Sequence, residues 1–444
     1  MFSWFRELSQ TERKGFYGAF LGHAVDVFDF MIYTFLIPTL LIQWSMSKSE
    51  AGAIVTYTLI ASLVGAIVAG VLADRYGRVR VLKWTIVIFA GATFLSGFSN
   101  SPTQLAIFRA IQGLGFGGES SLCMVLVAEM IKNPAHRGKY SGFTASSYSF
   151  GWGAAALVFA LVFSFVPAEM AWRICFFLGA APALVVIYLR RNLQEPEIFS
   201  KSQAARSNAA WHANIKTVFT GPLLKKTILC SLLSGGMLGG YYAIATWLPT
   251  YLSSQRGLSI FGTSAYLGAM IFGSFLGYVC GSYATDRFGR RKTYIIFSLG
   301  ALAMALSYMM IPISNASMLV LSFPLGMLMQ GMFAGIGATI SEAYPSAVRA
   351  TGYGISYNVG RVIASLFPLT VGTLSTGTVD LGIAIAVVAG TGYAVVIIAA
   401  SLLPETKGIR LDEVDAQSAV DDRAYTAQQA RNNGAGTAST SRSV

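Results

Sequence analysis

The chain has 444 residues, 54% of them hydrophobic and only 12% charged, with a mean hydropathy of +0.58. Soluble domains carry roughly 25% charged residues, so there is too little polar surface here to coat the several soluble domains this length could hold. The formal net charge of +12 raises nucleic acid as a partner, but the basic residues sit in short segments between long apolar runs, and that distribution speaks against it.

The apolar runs are about 20 residues long, enough to cross roughly 30 Å of hydrocarbon. In chain order we read twelve transmembrane helices: Tyr17–Ile42, Ala51–Ala73, Leu82–Phe98, Gln104–Ile131, Tyr140–Phe165, Ala171–Leu189, Thr227–Leu252, Gly262–Ala284, Thr293–Ile313, Ser317–Ser341, Gly352–Ser375 and Leu381–Leu403. The first follows a mixed-charge start (Arg6, Glu7, Glu12, Arg13, Lys14) and is too long for a cleavable signal. It reads as a permanent span.

If the helices alternate, the basic clusters at the start, at 75–83, 132–139, 190–226, 287–292 and 349 and in the tail all fall on one side. The opposite loops hold Lys48 and Arg256, with Arg173 at a helix edge. This bias places both termini in the cytoplasm of a multi-pass membrane protein. Cys123, Cys175, Cys230 and Cys280 lie in the spans with no paired spacing and read as small packing residues.

A polar stretch from Arg190 to Lys226 separates six spans from six. The expected divisions are a cytoplasmic N-terminus (1–16), an N-terminal six-helix bundle (17–192), a linker (193–226), a C-terminal six-helix bundle (227–404) and a polar tail (405–444) expected to be disordered. The halves repeat. Asp74-Arg75 with Gly77-Arg78 recurs as Asp286-Arg287 with Gly289-Arg290 at an offset of 212. Arg137 and Gly142 recur as Arg349 and Gly354 at that offset, and Pro38-Thr39 as Pro249-Thr250 at 211. The fold class is therefore an all-α membrane protein built of two parallel six-helix repeats.

GVLADRYGRVR (70–80), with its second copy GSYATDRFGRR (281–291), resembles the signature loop of the major facilitator superfamily. RAIQGLGFGGE (109–119) resembles its fourth-helix motif, and PETKG (404–408) a sugar-porter-like ending. GHAVDVFDFMIY (22–33) and SEAYPSAVRATGYGISYNVGR (341–361) resemble the organic-acid branch, which includes sialate, lactate and aromatic-acid proton symporters. The resemblance implies a major facilitator fold with the twin loops acting as a gate clasp, carried by Asp74, Arg75, Arg78, Asp286, Arg287 and Arg290. Positive-inside anchoring alone would also explain some of these charges.

Ionisable residues inside a span are costly, roughly 2.5–3.5 kcal/mol each, and so are functional candidates. Asp26, Asp29 and Tyr33 share one face of the first helix. Desolvation favours the neutral form of a mid-membrane carboxyl, making Asp29, then Asp26, proton-coupling candidates; each can instead be a structural partner for an arginine. Glu119 is either a further proton site or a helix-joining residue bonded to a serine such as Ser120. Arg109 needs an internal carboxylate, Asp29 or Glu119, or else contacts substrate. Arg361, behind Tyr357 and Asn358, is placed either to clamp an anion or to bridge helices. Tyr241, Tyr242, Trp247, Gln112, Gln330 and Tyr148 either line a cavity or pack; Tyr241 stands 212 residues after Asp29.

There is no Gly-Lys-Ser/Thr phosphate loop and no HExxH, so neither ATP-driven pumping nor proteolysis is expected, and no metal or cofactor beyond the coupling proton. The expected function is import of a small carboxylate metabolite by proton symport, in a monomer of a bacterial inner membrane. Uncoupled facilitation, efflux by antiport and nutrient sensing are the alternatives. A fifth helix without proline (141–158) argues against efflux, and modest extensions argue against a sensor.

Overall fold

In the computed structural model the described residues are 10–130, 134–190, 217–219, 221–345, 348–377 and 379–407. Most of the linker, the tail from 408 and the first nine residues lie outside them. The N-terminal half comprises α1 (Gln10–Gln43), α2 (Lys48–Tyr76), α3 (Arg78–Ser96), α4 (Pro102–Met130), α5 (Pro134–Phe165) and α6 (Ala168–Arg190). The C-terminal half comprises α7 (Gly221–Ser254), α8 (Ile260–Phe288), α9 (Arg290–Met310), α10, α11 (Arg349–Leu374) and α12 (Leu381–Leu402). α10 runs Asn315–Gly331, passes through a 3₁₀ turn at Met332–Gly335 and continues as Ile336–Glu342.

These helices form because long apolar runs must satisfy every backbone group internally in hydrocarbon. Their starts at one end of the molecule are fixed by side-chain caps. Ser47 caps α2 in a capping box with Glu50, and Ser259, Ser314 and Asp380 cap α8, α10 and α12. The other end is made by glycine instead. Gly77, between α2 and α3, has φ 108°, and Gly289, between α8 and α9, has φ 92°. An L side chain is strained at such angles, so the sequence repeat of 212 is also a repeat of backbone geometry.

Ten of the described helices are long and apolar enough to cross a membrane. The other two, α4 and α11, carry Arg109, Gln112 and Glu119, and Arg361. Helix edges depart from the sequence reading mainly at the twin-loop end. α7 starts at Gly221, ahead of the expected Thr227, because the Thr227 hydroxyl ties its first turn to the carbonyls of Val218 and Leu223. The tail expected from 405 starts later, because Glu405, Thr406 and Lys407 are bonded to α8, α9 and α10.

Within the first half α2 packs on α4, α1 on α5 and α6, and α3 on α4 and α6; within the second, α8 packs on α10, α7 on α11 and α12, and α9 on α12. Small residues allow the closest of these approaches. A Cβ on Gly117 of α4 would stand 1.7 Å from the Ser62 carbonyl of α2. Between halves, α1 meets α7, α2 meets α11 and α5 meets α8. The α2–α11 seam is backbone against backbone at the capped end: a Cβ on Gly52 would lie 2.5 Å from the Pro368 carbonyl, and one on Gly372 2.4 Å from that of Lys48. Thr56 Oγ1 donates to Ser365 O at 2.6 Å and Lys48 Nζ to Ser375 O at 3.2 Å. The halves are thus joined on this side.

A leucine at Gly52 or Gly372 cannot fit while the seam is closed. With Ser375→Cys as reporter in a cysteine-free background, Gly52→Leu is expected to speed maleimide labelling by about tenfold or more, equivalent to ~1.4 kcal/mol of opening. An unchanged rate would show that the seam accommodates the side chain.

Candidate functional site

The acidic face of α1 is wholly buried: Asp26 and Asp29 have no exposure and Tyr33 has 1%. Hydrocarbon outside and protein inside leave a charge there few options. Asp29 accepts from Thr93 Oγ1 of α3 at 2.8 Å and pairs with Arg109 Nη1 of α4 at 3.4 Å. Arg109 also reaches the backbone carbonyls of Asp29 (3.3 Å) and Phe30 (3.4 Å) and lies 5.5 Å from the centre of the Tyr33 ring. Of the two carboxylates considered for Arg109, Asp29 is the one in contact. Thr93 was not singled out in the sequence. It sits on an apolar helix 64 residues away, so only tertiary packing brings it to Asp29.

Glu119 is also fully buried. Thr85 Oγ1 donates to it at 3.0 Å and Cys123 Sγ at 3.3 Å, whereas Ser120 turns back to the Gly117 carbonyl. The difference has a geometric cause. Ser120 follows Glu119 by about 100° around α4, while Cys123, one turn on, shares its side.

Arg361 presents the opposite case to Arg109. It is 7% exposed, and its Nε and Nη1 have no hydrogen-bond partner. Its guanidinium carbon lies 5.2 Å from the centre of the Tyr357 ring on its own helix and 5.9 Å from that of Phe116 on α4, across the halves. Phe116 stacks on Phe30 at 5.4 Å, and Phe30 meets Tyr242 of α7 at 5.8 Å. Tyr353 stacks on Tyr357 at 6.0 Å with the ring planes 4° apart. The result is a buried cation walled by aromatic rings drawn from α1, α4, α7 and α11. Phe30 and Phe116 were missed by the sequence reading; phenylalanine in a span looks like lipid-facing packing. The available signal was helical spacing, since Phe116 lies one turn from Gln112.

The other expected site residues divide. Gln112 has no exposure, and its side-chain amide stands against the Asp29 carboxylate. Asn358 Nδ2 is bound to the Gly354 carbonyl of its own helix, leaving Oδ1 without a partner. Tyr241 bridges the halves: it accepts from the Tyr148 hydroxyl at 2.7 Å and reaches Met31 Sδ at 3.8 Å. Trp247 is a packing residue that donates to the Pro368 carbonyl at 2.9 Å. His23, near Tyr148, has a buried Nδ1 without a partner.

At the twin loops, Arg75 and Arg287 are exposed and lie over the rings of the next residues, Tyr76 and Phe288. The side chains of Asp74 and Asp286 lie outside the description. The next arginines of the pattern turn inward. Arg78 is buried, and Arg290 pairs with Glu342 at the end of α10 (3.2 Å) and donates to the Thr285 carbonyl (3.0 Å). Glu405 accepts from the backbone amides of Arg290 (2.9 Å) and Arg291 (3.1 Å), the stabilising place for an anion at a helix N-terminus. Lys407 Nζ donates to the Arg287 carbonyl at 2.8 Å, and the Thr406 hydroxyl bonds Glu342.

The family profile of the Major Facilitator Superfamily matches residues 19–368. The chain belongs to this superfamily of membrane transporters. It is 37% identical over 430 residues to the probable 4-methylmuconolactone transporter of Cupriavidus pinatubonensis, covering 97% of this chain and 99% of that one. It is 30% identical to the cis,cis-muconate transport protein of Acinetobacter baylyi (87% and 92% covered) and 26% identical to the sialic acid transporter NanX of Escherichia coli (87% and 93%). Among solved structures it superposes on a D-xylose-proton symporter with a TM-score of 0.75 at 18% identity, covering 90% of this chain and all of that one. The superfamily fold and multi-pass membrane embedding follow, and the protein is a transporter of a small molecule and not an enzyme.

The Asp29–Arg109 pair makes a thermodynamic prediction. Removing one member strands the other as a buried charge or donor, expected to cost about 3–5 kcal/mol, while replacing both by apolar residues is far milder. Thermal unfolding in detergent should rank Arg109→Leu below Asp29→Leu/Arg109→Leu. Equal or additive loss in the double variant would show that the pair is not the unit of stability.

Proposed function

We propose that this superfamily member imports a small, flat organic carboxylate by proton symport through alternating access, with Arg361 as the carboxylate clamp. The observation that carries this reading is the buried Arg361 guanidinium with Nε and Nη1 lacking partners among aromatic rings. Two unmet guanidinium nitrogens away from water are costly, and a carboxylate supplies the bidentate acceptor that fits the fork. Phe116, Phe30, Tyr242 and Tyr357 then offer ring faces to an unsaturated or aromatic body. The relatives named for 4-methylmuconolactone, cis,cis-muconate and sialic acid transport support an organic acid as cargo.

In this reading Asp29 carries the coupling proton. Its negative charge pairs with Arg109 of α4, which also donates to two carbonyls of α1, and so holds the two helices together. Protonation weakens that hold and loosens α1 from α4 beside the aromatic walls of the site. Asp74, Arg75, Arg78, Asp286, Arg287 and Arg290 serve as the gate clasp, with Arg290 held by Glu342, and the twin loops face the cytoplasm.

Uptake into proteoliposomes with an imposed pH gradient tests the reading, using labelled muconate, benzoate, nicotinate and a saturated dicarboxylate. An inward proton gradient is expected to accelerate at least one of the unsaturated acids; if none moves faster, symport is wrong. Arg361→Ala should weaken binding of the transported acid by ~30-fold or more, in line with about 2–5 kcal/mol for a truncated buried charge contact, and Arg361→Lys should restore only part of it. Affinity retained in Arg361→Ala would remove the clamp. Asp29→Asn should still bind the acid, measured by tryptophan fluorescence, yet lose the response to the gradient; full coupling in that variant would reassign the proton to Asp26 or Glu119.

A further inference from the structure

The two lateral seams between the halves, α2–α11 and α5–α8, occupy corresponding places in the repeat, yet only one of them is filled by protein. In the α2–α11 seam a Cβ on Gly52 or Gly372 would strike backbone. In the α5–α8 seam the glycines face open space: a Cβ on Gly153 would find only Ile271 Cγ2 at 3.7 Å, and one on Gly268 nothing within 4 Å. Between them lies a groove of about 620 Å³, lined from α5 by Ser149, Gly153, Ala156, Leu157 and Ala160 and from α8 chiefly by Ala265, Gly268, Ile271, Phe272 and Phe275. It opens sideways between Leu157, 60% exposed, and Phe272, 60% exposed, on the face that the membrane spans turn to lipid.

A volume of this size is not left empty in a close-packed molecule. Water does not suit it, because a held water needs 2–4 polar partners and the lining is apolar apart from the hydroxyls of Ser149 and Ser264. Ser149, 4% exposed, lines the groove from the middle of α5. From Ser149 to Ala160 the groove follows α5 for roughly 16 Å at 1.5 Å per residue, close to half of a hydrocarbon core of about 30 Å.

We propose that the α5–α8 groove is the seat of one phospholipid acyl chain, taken from the leaflet at the capped end of the helices, so that a lipid chain completes on this side the interface that protein completes at α2–α11. The chain lies along α5 and α8 against Gly153, Leu157, Gly268 and Phe272. The seat is separate from the aromatic site around Arg361, and the proposal does not depend on what is transported.

The test counts lipid on the full-length protein by native mass spectrometry after extraction from membranes of defined phosphatidylethanolamine and phosphatidylglycerol. Wild type should retain a phospholipid that resists collisional activation and should lose thermal stability on exhaustive delipidation, recovering it when phospholipid is added back. Gly153→Leu/Gly268→Leu, which places side chains in the open space without touching backbone, should lose the retained phospholipid and the response to delipidation. Gly91→Leu, on an exposed face of α3 with nothing within 4 Å, is the control and should behave as wild type. Should the double variant fold poorly, Gly268→Leu alone is expected to reduce retention. No retained phospholipid in wild type, retention of detergent or free fatty acid in its place, or equal retention in the filled variants overturns the proposal.

Discussion

Hydrocarbon does not tolerate an unmatched charge, and the inner architecture of this protein follows from that constraint. Two arginines sit inside the spans under the same rule and meet it in opposite ways. Arg109 is matched by Asp29, two carbonyls and the Tyr33 ring, and so fastens α4 to α1. Arg361 has ring faces and the Tyr357 side chain beside it, with Nε and Nη1 unmet. Within one fold, the matched arginine belongs to the frame and the unmatched one marks where something from outside completes the chemistry.

The repeat sets up this arrangement and then departs from it. Gly77 and Gly289 hold the same strained turn, and Arg75 and Arg287 lie over the following aromatic rings in the same way. The centre is not symmetric. Asp29 of α1 has as its counterpart Tyr241 of α7, which makes a neutral hydrogen bond to Tyr148 where Asp29 makes an ion pair. Among the described residues the buried carboxyls, Asp26, Asp29 and Glu119, all stand in the first half, while α11 of the second half supplies Arg361.

The spans, the two halves and the twin loops were readable in the sequence because length, apolarity and an offset of 212 are properties of the chain itself. Asp29, Arg109 and Arg361 were readable for a related reason: an ion in a span stands out against its neighbours. The surroundings were not. Thr93, Thr85, Phe30 and Phe116 are ordinary residues in apolar helices, and their roles come from which faces meet, which a single sequence does not record. The same limit explains Glu119, where the neighbour in sequence, Ser120, was considered and the neighbours in space, Thr85 and Cys123, donate to it. Glu342 and Glu405 lay inside quoted motifs, yet their meeting at Arg290 required the fold.

That meeting has a mechanical consequence. The residues just past the last span fasten the exit of α12 to the start of α9, the end of α8 and the end of α10. Four helix ends that would otherwise splay independently become one stiff corner. A body that tilts as a unit needs such a corner, because a push at mid-membrane moves the far end only if the lever between them does not bend. The polypeptide after α12 is in this sense a brace, and severing it at residue 404 would leave four helices that are each intact but no longer move together.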